Sequence, residues 1–224
     1  MIVVTEADHA LVTAAVAEAE GRTSGEIVTV VAGRSDRYHD VALHWAVLLT
    51  LGILAYAALF PRHIVEGVGR LGGGWVPEPS LAQLFTTLLI LAALTFTVAV
   101  LLFRPLPVRM LLTPPATKTR RVRRRALELF RVAAERRTHG RTGVILYLSL
   151  AEHRAEIVAD EAIHSKVTPD VWGEAMAAVV AGAKAGRIGE GMAEAVREMG
   201  DVLAEHFPRE VDDRNELPDR LITL

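Results

Sequence analysis

The chain has 224 residues, no cysteine and a formal net charge of -2 at pH 7. The absence of cysteine excludes disulfides, thiolate metal ligands and a cysteine nucleophile, and the nearly balanced charge gives no global attraction to nucleic acid. Apolar residues make up 51% of the sequence and charged residues 23%, with a mean hydropathy of +0.29, so a strongly apolar part is combined with a part of ordinary water-soluble composition.

The first forty residues predict a helix followed by a buried strand. Thr5 and Asp8 match a capping box, and apolar residues recur at helical spacing over residues 6–20. The run EIVTVV at 26–31 is β-branched and almost continuously apolar, which is typical of a central strand buried on both faces. The N-terminus is acidic and lacks an uninterrupted apolar core, so we expect no signal peptide.

Two long apolar runs follow, at residues 41–60 and 81–103. A helix needs roughly 20 apolar residues to cross about 30 Å of hydrocarbon, and both runs are long enough. The alternative is a pair of buried helices in a large soluble core, but such helices are shorter and usually carry a charged edge. The sequence therefore predicts two transmembrane helices joined by a short outer loop at 61–80.

For two side chains of this region, the sequence predicts a position relative to the bilayer. Trp75, in a loop rich in glycine and proline, predicts an interfacial anchor. His44 is ionisable and lies near the start of the first run. Such a group can mark a ligand or a proton path, but its position near the end of the span favours a second interfacial residue.

Lysine and arginine cluster outside the two runs rather than between them. Arg34 and Arg37 precede the first run, whereas the connecting segment carries only Arg62 and Arg70 among its basic residues. Those between the second run and residue 125 are Arg104, Arg109, Lys118, Arg120, Arg121, Arg123, Arg124 and Arg125. Because Lys and Arg favour the cytoplasmic side, we expect a multi-pass protein of the bacterial inner (cytoplasmic) membrane with both termini in the cytoplasm.

The C-terminal part predicts an α/β fold that the N-terminal part completes. The patterns indicate a basic helix, a strand, a second strand antiparallel to it, two helices and an irregular tail. Their ranges are 118–137, 143–150, 155–159, 169–185, 188–206 and 207–224. The order describes a βαβ unit with a membrane hairpin inserted in its crossover, so residues 1–40 and 104–224 form one small αβα sandwich with a mixed sheet.

Five segments of the chain together suggest a known family: TSGE at 23–26, the strand run at 143–150, the turn at 152–153, ADE at 159–161 and the closing stretch at 212–220. They resemble the TPM-domain family, and more narrowly its bacterial integral membrane branch, in which two transmembrane helices interrupt the domain. The resemblance implies a compact αβα sandwich. Functions in the family are diverse: thylakoid members help photosystem repair, one member is a receptor auxiliary protein, and a plant member is a phosphatase with an acidic metal site.

The resemblance implies a divalent cation as the candidate cofactor. Its candidate ligands are Asp160, Glu161, His164 and Glu26. Carboxylates and an imidazole at these spacings suit Mg, Mn or Zn. Two departures weaken the case: RTG at 141–143 replaces an Asp-Asn-Gly type turn, and ADE at 159–161 replaces a glycine-rich turn. We therefore expect no cofactor, with Asp160 capping the short helix, His164 in solvent and Glu26 bound to backbone N–H groups.

The most highly charged segment predicts contact with anionic lipid. Its basic residues are Lys118, Arg120, Arg121, Arg123, Arg124 and Arg125. It lies close behind an apolar run, where each basic side chain gains about 1 kcal/mol at an anionic membrane surface. It lacks interleaved aromatic residues, so nucleic acid is not expected.

These patterns leave three functions open. The leading one is an auxiliary or assembly subunit of a membrane protein complex, with other integral membrane proteins as partners. Since bacterial members of the resembled family often accompany LemA-like membrane proteins, those are candidate partners. The alternatives are a metal-dependent phosphatase and a sensor of lipid surfaces.

Overall fold

The computed structural model describes residues 4–71, 79–133, 142–210, 217 and 219–224. The chain divides into two compact units. The sheet unit comprises the described residues within Met1–Asp36 and Pro115–Leu224, and the hairpin unit those within Arg37–Pro114. Trp75, the predicted interfacial anchor, lies outside the described residues.

Helices dominate both units. The elements are, in chain order, α1 (Glu6–Glu20), β1 (Glu26–Ala32), α2 (His39–Leu59), α3 (Pro61–Leu71), α4 (Leu81–Leu102), α5 (Leu106–Leu112), α6 (Pro115–Ala133), β2 (Gly143–Ser149), β3 (Arg154–Ala159), α7 (Glu161–His164), a 3₁₀ turn (Pro169–Trp172), α8 (Gly173–Lys184), α9 (Ile188–His206) and β4 (Ile222–Thr223). The predicted helices 6–20 and 188–206 are confirmed at both ends, and Thr5 and Asp8 form the predicted capping box.

The sheet unit contains a mixed sheet with the strand order β3-β2-β1-β4. β1 and β2 run parallel in a register from Glu26↔Gly143 to Ala32↔Ser149, although the whole hairpin unit separates them in sequence. β3 is antiparallel to β2. The predicted βαβ unit, with the insertion in its crossover, is therefore confirmed.

Helices cover both faces of the sheet, as expected for an αβα sandwich. Ile27 and Val31 belong to the core on the side of α1, α8 and α9. Val28 and Val30, which alternate with them, belong to the core on the side of α6. This alternation explains why β1 is apolar at almost every position.

The predicted irregular tail is partly wrong, because β4 adds an edge strand parallel to β1. Leu224 donates its N–H to the Val31 carbonyl at 3.0 Å, and the Gly33 N–H donates to the Leu224 carbonyl at 2.8 Å. Leu217 and Leu221 are buried on opposite faces of the sheet. Two residues paired to a strand almost two hundred positions away leave no periodicity that a sequence pattern can register.

The hairpin unit contains two helices, α2 and α4, that are long and apolar enough to cross a membrane. They pack against each other through buried alanines such as Ala46 and Ala99. The predicted loop between the runs is wrong over its first half, because Pro61–Leu71 forms helix α3. Helix α5 also lies where no element was predicted.

Candidate functional site

The TSGE segment holds the chain that leaves α9. Thr23 Oγ1 donates to the Phe207 carbonyl at 2.5 Å, and Ser24 Oγ accepts the Glu210 N–H at 2.9 Å. A Cβ on Gly25 would lie 3.1 Å from a methyl carbon of Leu203, so glycine lets the strand start directly beneath α9. The motif therefore docks the C-terminal segment onto the start of β1.

Glu26 ends this segment as a buried carboxylate. Its Oε2 accepts the backbone N–H of Leu217 at 3.1 Å, and its side chain is on the α6 side of the sheet with Val28. A buried carboxylate requires hydrogen-bond donors, and a backbone N–H supplies one here. Glu26 was expected to bind neighbouring backbone N–H groups, including those of residues 23–25, and the structure gives it a backbone donor in the distant tail.

Asp160 lies at the same rim of the sheet as Glu26. Its backbone N–H donates to the Gly143 carbonyl at 2.9 Å, and its Oδ2 accepts the Gly143 N–H at 3.3 Å. Gly143 is also the register partner of Glu26. With strands about 4.8 Å apart, the two buried carboxylates belong to backbone positions roughly 10 Å from each other.

The remaining two predicted ligands lie elsewhere. Glu161 and His164 occupy exposed positions on the four-residue helix α7. Asp160 is the residue before that helix, but its side chain makes no capping hydrogen bond there. Among the residues that the structure describes, no three His, Asp or Glu side chains are arranged to hold a metal ion. A cation bound by the four predicted residues stays a prediction.

A second polar cluster, which sequence reasoning missed, lies at the opposite rim, where β1 and β2 end. Glu152 is buried and accepts the Ser35 N–H at 3.0 Å and the Ser149 hydroxyl. Ser35 and Tyr147 share a hydrogen bond of 2.9 Å between their hydroxyl oxygens. Burial raises the pKa of the Tyr147 phenol, against the opposing effect of its hydrogen bonds to Ser35 and Ser149.

This cluster fixes the chain at the point where it leaves the sheet for the hairpin unit. The turn residue His153 has a positive φ of 50°, and its backbone N–H donates to the Leu150 carbonyl at 3.3 Å. Carboxyl ends of parallel strands are the common location of ligands in α/β folds. Here the described polar groups bond to one another, so the cluster supports the fold. The signal available in the sequence was Glu152 directly after a strong strand.

The basic residues of α6 do not all face solvent. Arg121 and Arg124 each lie 3.2 Å from the Asp36 carboxylate, and the Arg121 side chain is only 14% exposed. Arg125 pairs with Glu128 at 3.3 Å. Part of the predicted lipid-facing segment therefore ties α6 to the end of β1. Arg120 and Arg123 are exposed, and Lys118 is half-buried.

His44 is exposed on the second turn of α2, and its Nδ1 lies 2.6 Å from the Asp40 carbonyl oxygen. This local contact gives no indication of a ligand or proton path.

A buried guanidinium connects segments at the base of the hairpin unit: Arg109 donates to the Arg37 carbonyl at 2.5 Å and to His39 Nδ1 at 3.0 Å. These contacts give a buried charge two hydrogen-bond acceptors at the point where the chain enters and leaves the hairpin.

Comparison with known proteins assigns the fold that these contacts build. The family model described as the TPM domain matches residues 107–202. This part of the chain is similar to a TPM domain. The match extends from α5 into α9 and so includes β2, β3 and Asp160, whereas the TSGE segment and β1 precede it.

The structure also resembles a solved TPM-fold protein. The NMR structure of the BA42 protein from the psychrophilic bacterium Bizionia argentinensis aligns with a TM-score of 0.55 over 99% of this chain and 95% of that chain. The two sequences are 17% identical, so the similarity concerns the fold alone. No curated protein matches the chain.

Proposed function

We propose that this protein is an integral membrane protein whose TPM domain serves as an auxiliary or assembly subunit of a membrane protein complex. The observation that carries the proposal is the outward surface of α2 and α4. Leu51 is 57% exposed, Leu89 70% and Ile90 61%. A core helix of a soluble protein buries such side chains, since each contributes about 1.5–3 kcal/mol when removed from water.

A bilayer supplies the apolar surroundings that these side chains lack within the chain. Exposed apolar patches of more than a few hundred Å² mark interaction or membrane surfaces, and both helices present apolar side chains along their length. The parallel pairing of β1 with β2 requires residues on both sides of the hairpin to share one compartment. With the excess of arginine outside the two runs, this supports a multi-pass protein of the bacterial inner membrane with both termini cytoplasmic.

Small exposed residues on the hairpin support a partner within the membrane. Ala55 and Ala58 on α2 and Ala93 on α4 are exposed, unlike Ala99, which is buried. Small residues let transmembrane helices approach closely. Other integral membrane proteins are thus the proposed partners, and LemA-like proteins are the first to examine because members of the resembled bacterial branch often occur beside them.

Gentle extraction from native membranes tests this function. We expect the wild-type protein to co-purify with a membrane partner in fixed proportion, and Ala58→Leu with Ala93→Leu to reduce that co-purification by a large factor. The matched control is Leu94→Val, which changes an exposed α4 side chain of the lipid-facing type. A protein that remains a solitary monomer through crosslinking and mild detergents would exclude the auxiliary role.

Anionic lipid is a second proposed partner, through the basic residues of α6 that remain exposed. Arg120→Gln should weaken binding to anionic vesicles by about 1 kcal/mol, an effect that fades with salt. Arg121→Gln should weaken it less, because Arg121 is bound to Asp36. If neither substitution weakened binding to anionic vesicles, the segment would serve the stability of the fold alone.

A metal-dependent phosphatase is the second candidate function, and the shared rim of Glu26 and Asp160 favours it. Paired carboxylates at one sheet rim are the type of group that binds Mg or Mn. Phosphate-ester turnover should appear with added Mn or Mg and be lost in Asp160→Asn and Glu161→Ala, while Asp170→Asn, at an exposed position, retains it. Absence of turnover with every cation would remove this candidate.

A further inference from the structure

Helix α3 connects the two apolar helices and has two chemically different sides. At about 100° per residue, Ile64, Val65 and Val68 project on one side. Arg62, Glu66 and Arg70 project on the other, where the Arg70 and Glu66 side chains are 83% and 63% exposed and 3.7 Å apart. Helices with this division and low overall hydrophobicity lie in the plane of membrane surfaces.

The corner between α2 and α3 is built from side chains that suit the same location. Tyr56 Oη lies 2.7 Å from His63 Nδ1. The Phe60 ring packs against both, with its centroid 5.1 Å from Tyr56 and 5.7 Å from His63. Aromatic rings with a polar atom are enriched at the level of lipid headgroups, where one end is apolar and the other is wet.

The apolar side of α3 continues into exposed apolar side chains on the helices next to it. Leu59, at the end of α2, is 74% exposed, and Leu81 and Phe85, at the start of α4, are 72% and 67% exposed. Val65 is 36% exposed, whereas Ile64 and Val68 are half-buried. Exposed apolar side chains therefore occur at the end of α2, on α3 and at the start of α4, the three helices that meet at this end of the hairpin unit.

We infer that α3 lies at the boundary between headgroups and acyl chains, at the end of the hairpin unit where α2 ends and α4 begins, and that its binding partner is the lipid surface itself. Ile64, Val65 and Val68 face the acyl chains, and Arg62, Glu66 and Arg70 face water and headgroups. This inference rests on the proposed membrane insertion of α2 and α4. The sequence predicted only a loop here, so the helix adds a lipid-binding surface that the two spans do not imply.

Because the chain contains no cysteine, single cysteines allow specific labelling of the full-length protein. A fluorophore sensitive to water is placed at Val65→Cys or, as the matched control on the polar side, at Arg70→Cys. Further labels at Leu51→Cys and Leu89→Cys report on the two spans. Each labelled protein is reconstituted in nanodiscs of phosphatidylcholine and phosphatidylglycerol that contain lipids with a quencher at a shallow or a deep acyl position.

We expect the label at residue 65 to lose emission with the shallow quencher more than with the deep one, and the label at 70 to respond mainly to iodide in water. Labels at 51 and 89 should respond to the deep quencher. If 51 and 89 respond to the deep quencher but 65 and 70 are equally accessible to iodide, α3 is not a lipid-binding helix although the spans are inserted. If 51 and 89 are also open to iodide, membrane insertion fails and the inference fails with it.

Discussion

The two units of this protein place apolar side chains in opposite environments, buried in the sheet unit and exposed in the hairpin unit. In the sheet unit, Leu203 and Val12 are fully buried between helices and sheet. In the hairpin unit, Leu89 and Ile90 are mostly exposed although α4, on which both lie, is more apolar than α9. The same residue types thus produce a packed core in one unit and an outward surface in the other, which teaches that composition alone does not decide whether an apolar side chain is buried within the chain.

Truncating a leucine in each unit should give the largest contrast. Leu203→Ala removes a fully buried side chain next to Gly25 and should cost about 2–5 kcal/mol of unfolding free energy. Leu89→Ala, at a side chain that is 70% exposed, should change it by less than about 0.5 kcal/mol. Pulse proteolysis of the full-length protein in nanodiscs measures both. Similar losses would contradict the division into two differently packed units.

A charged substitution should be more harmful in the hairpin unit than in the sheet unit, which is the opposite of the order expected for leucine-to-alanine substitutions. Leu89→Arg lies near the middle of α4 and should cost about 2.5–3.5 kcal/mol of membrane insertion. Leu11→Arg, at a position on α1 that is 43% exposed, should be tolerated within about 0.5 kcal/mol. An insertion assay in microsomes or inverted vesicles gives the inserted fraction. If Leu89→Arg left insertion unchanged, α4 would not be in contact with hydrocarbon.

Glycine-to-alanine substitutions should also affect the two units differently, with a smaller change in the free energy of unfolding. A Cβ on Gly182 in α8 would lie 2.5 Å from Gly191 Cα in α9, so Gly182→Ala should destabilise the sheet unit by about 1–3 kcal/mol. A Cβ on Gly52 in α2 meets nothing within 4 Å among the described residues, so Gly52→Ala should be neutral or slightly stabilising. Thermal unfolding with the two variants side by side checks the difference, and a harmless Gly182→Ala would mean that α8 and α9 can separate without loss.

The smallest effect concerns acid stability of the sheet unit. Hydrogen bonds from Thr5, and a further one from the Gly189 N–H at 3.2 Å, lower the pKa of Asp8. A lowered pKa means that the carboxylate stabilises the fold above its unfolded pKa of about 3.9, and that this contribution is lost as the pH falls through the folded pKa.

Asp8→Asn should therefore lower the free energy of unfolding at neutral pH by about 0.3–1 kcal/mol. It should also make the free energy of unfolding fall less steeply as the pH decreases. Thr5→Ser keeps the hydroxyl and serves as the control with an unchanged pH dependence. Urea unfolding of the full-length protein between pH 3 and 7 provides the curve. An Asp8→Asn curve that parallels wild type down to pH 3 would assign the acid sensitivity to other groups.

Local patterns in the sequence determined much of this protein. The capping box at Thr5, the apolar strands and the helix 188–206 are set by neighbours a few residues apart, so their ends were predictable. The two apolar helices follow from length and composition alone. The amphipathic pattern of α3 was also present, but two glycines within it and the glycine-rich segment after it favoured a loop.

Tertiary structure decided which of these elements meet. The bond from Leu217 to Glu26, the Gly143 contact with Asp160 and the pairing of β4 with β1 join positions that are distant in sequence, where no local periodicity exists. The same holds for Asp36, whose carboxylate pairs with Arg121 and Arg124 of the predicted lipid-facing segment. The sequence shows which groups need a hydrogen-bond partner, such as a buried carboxylate or an unpaired strand edge. Which residue becomes that partner is decided only by the folding of the whole chain.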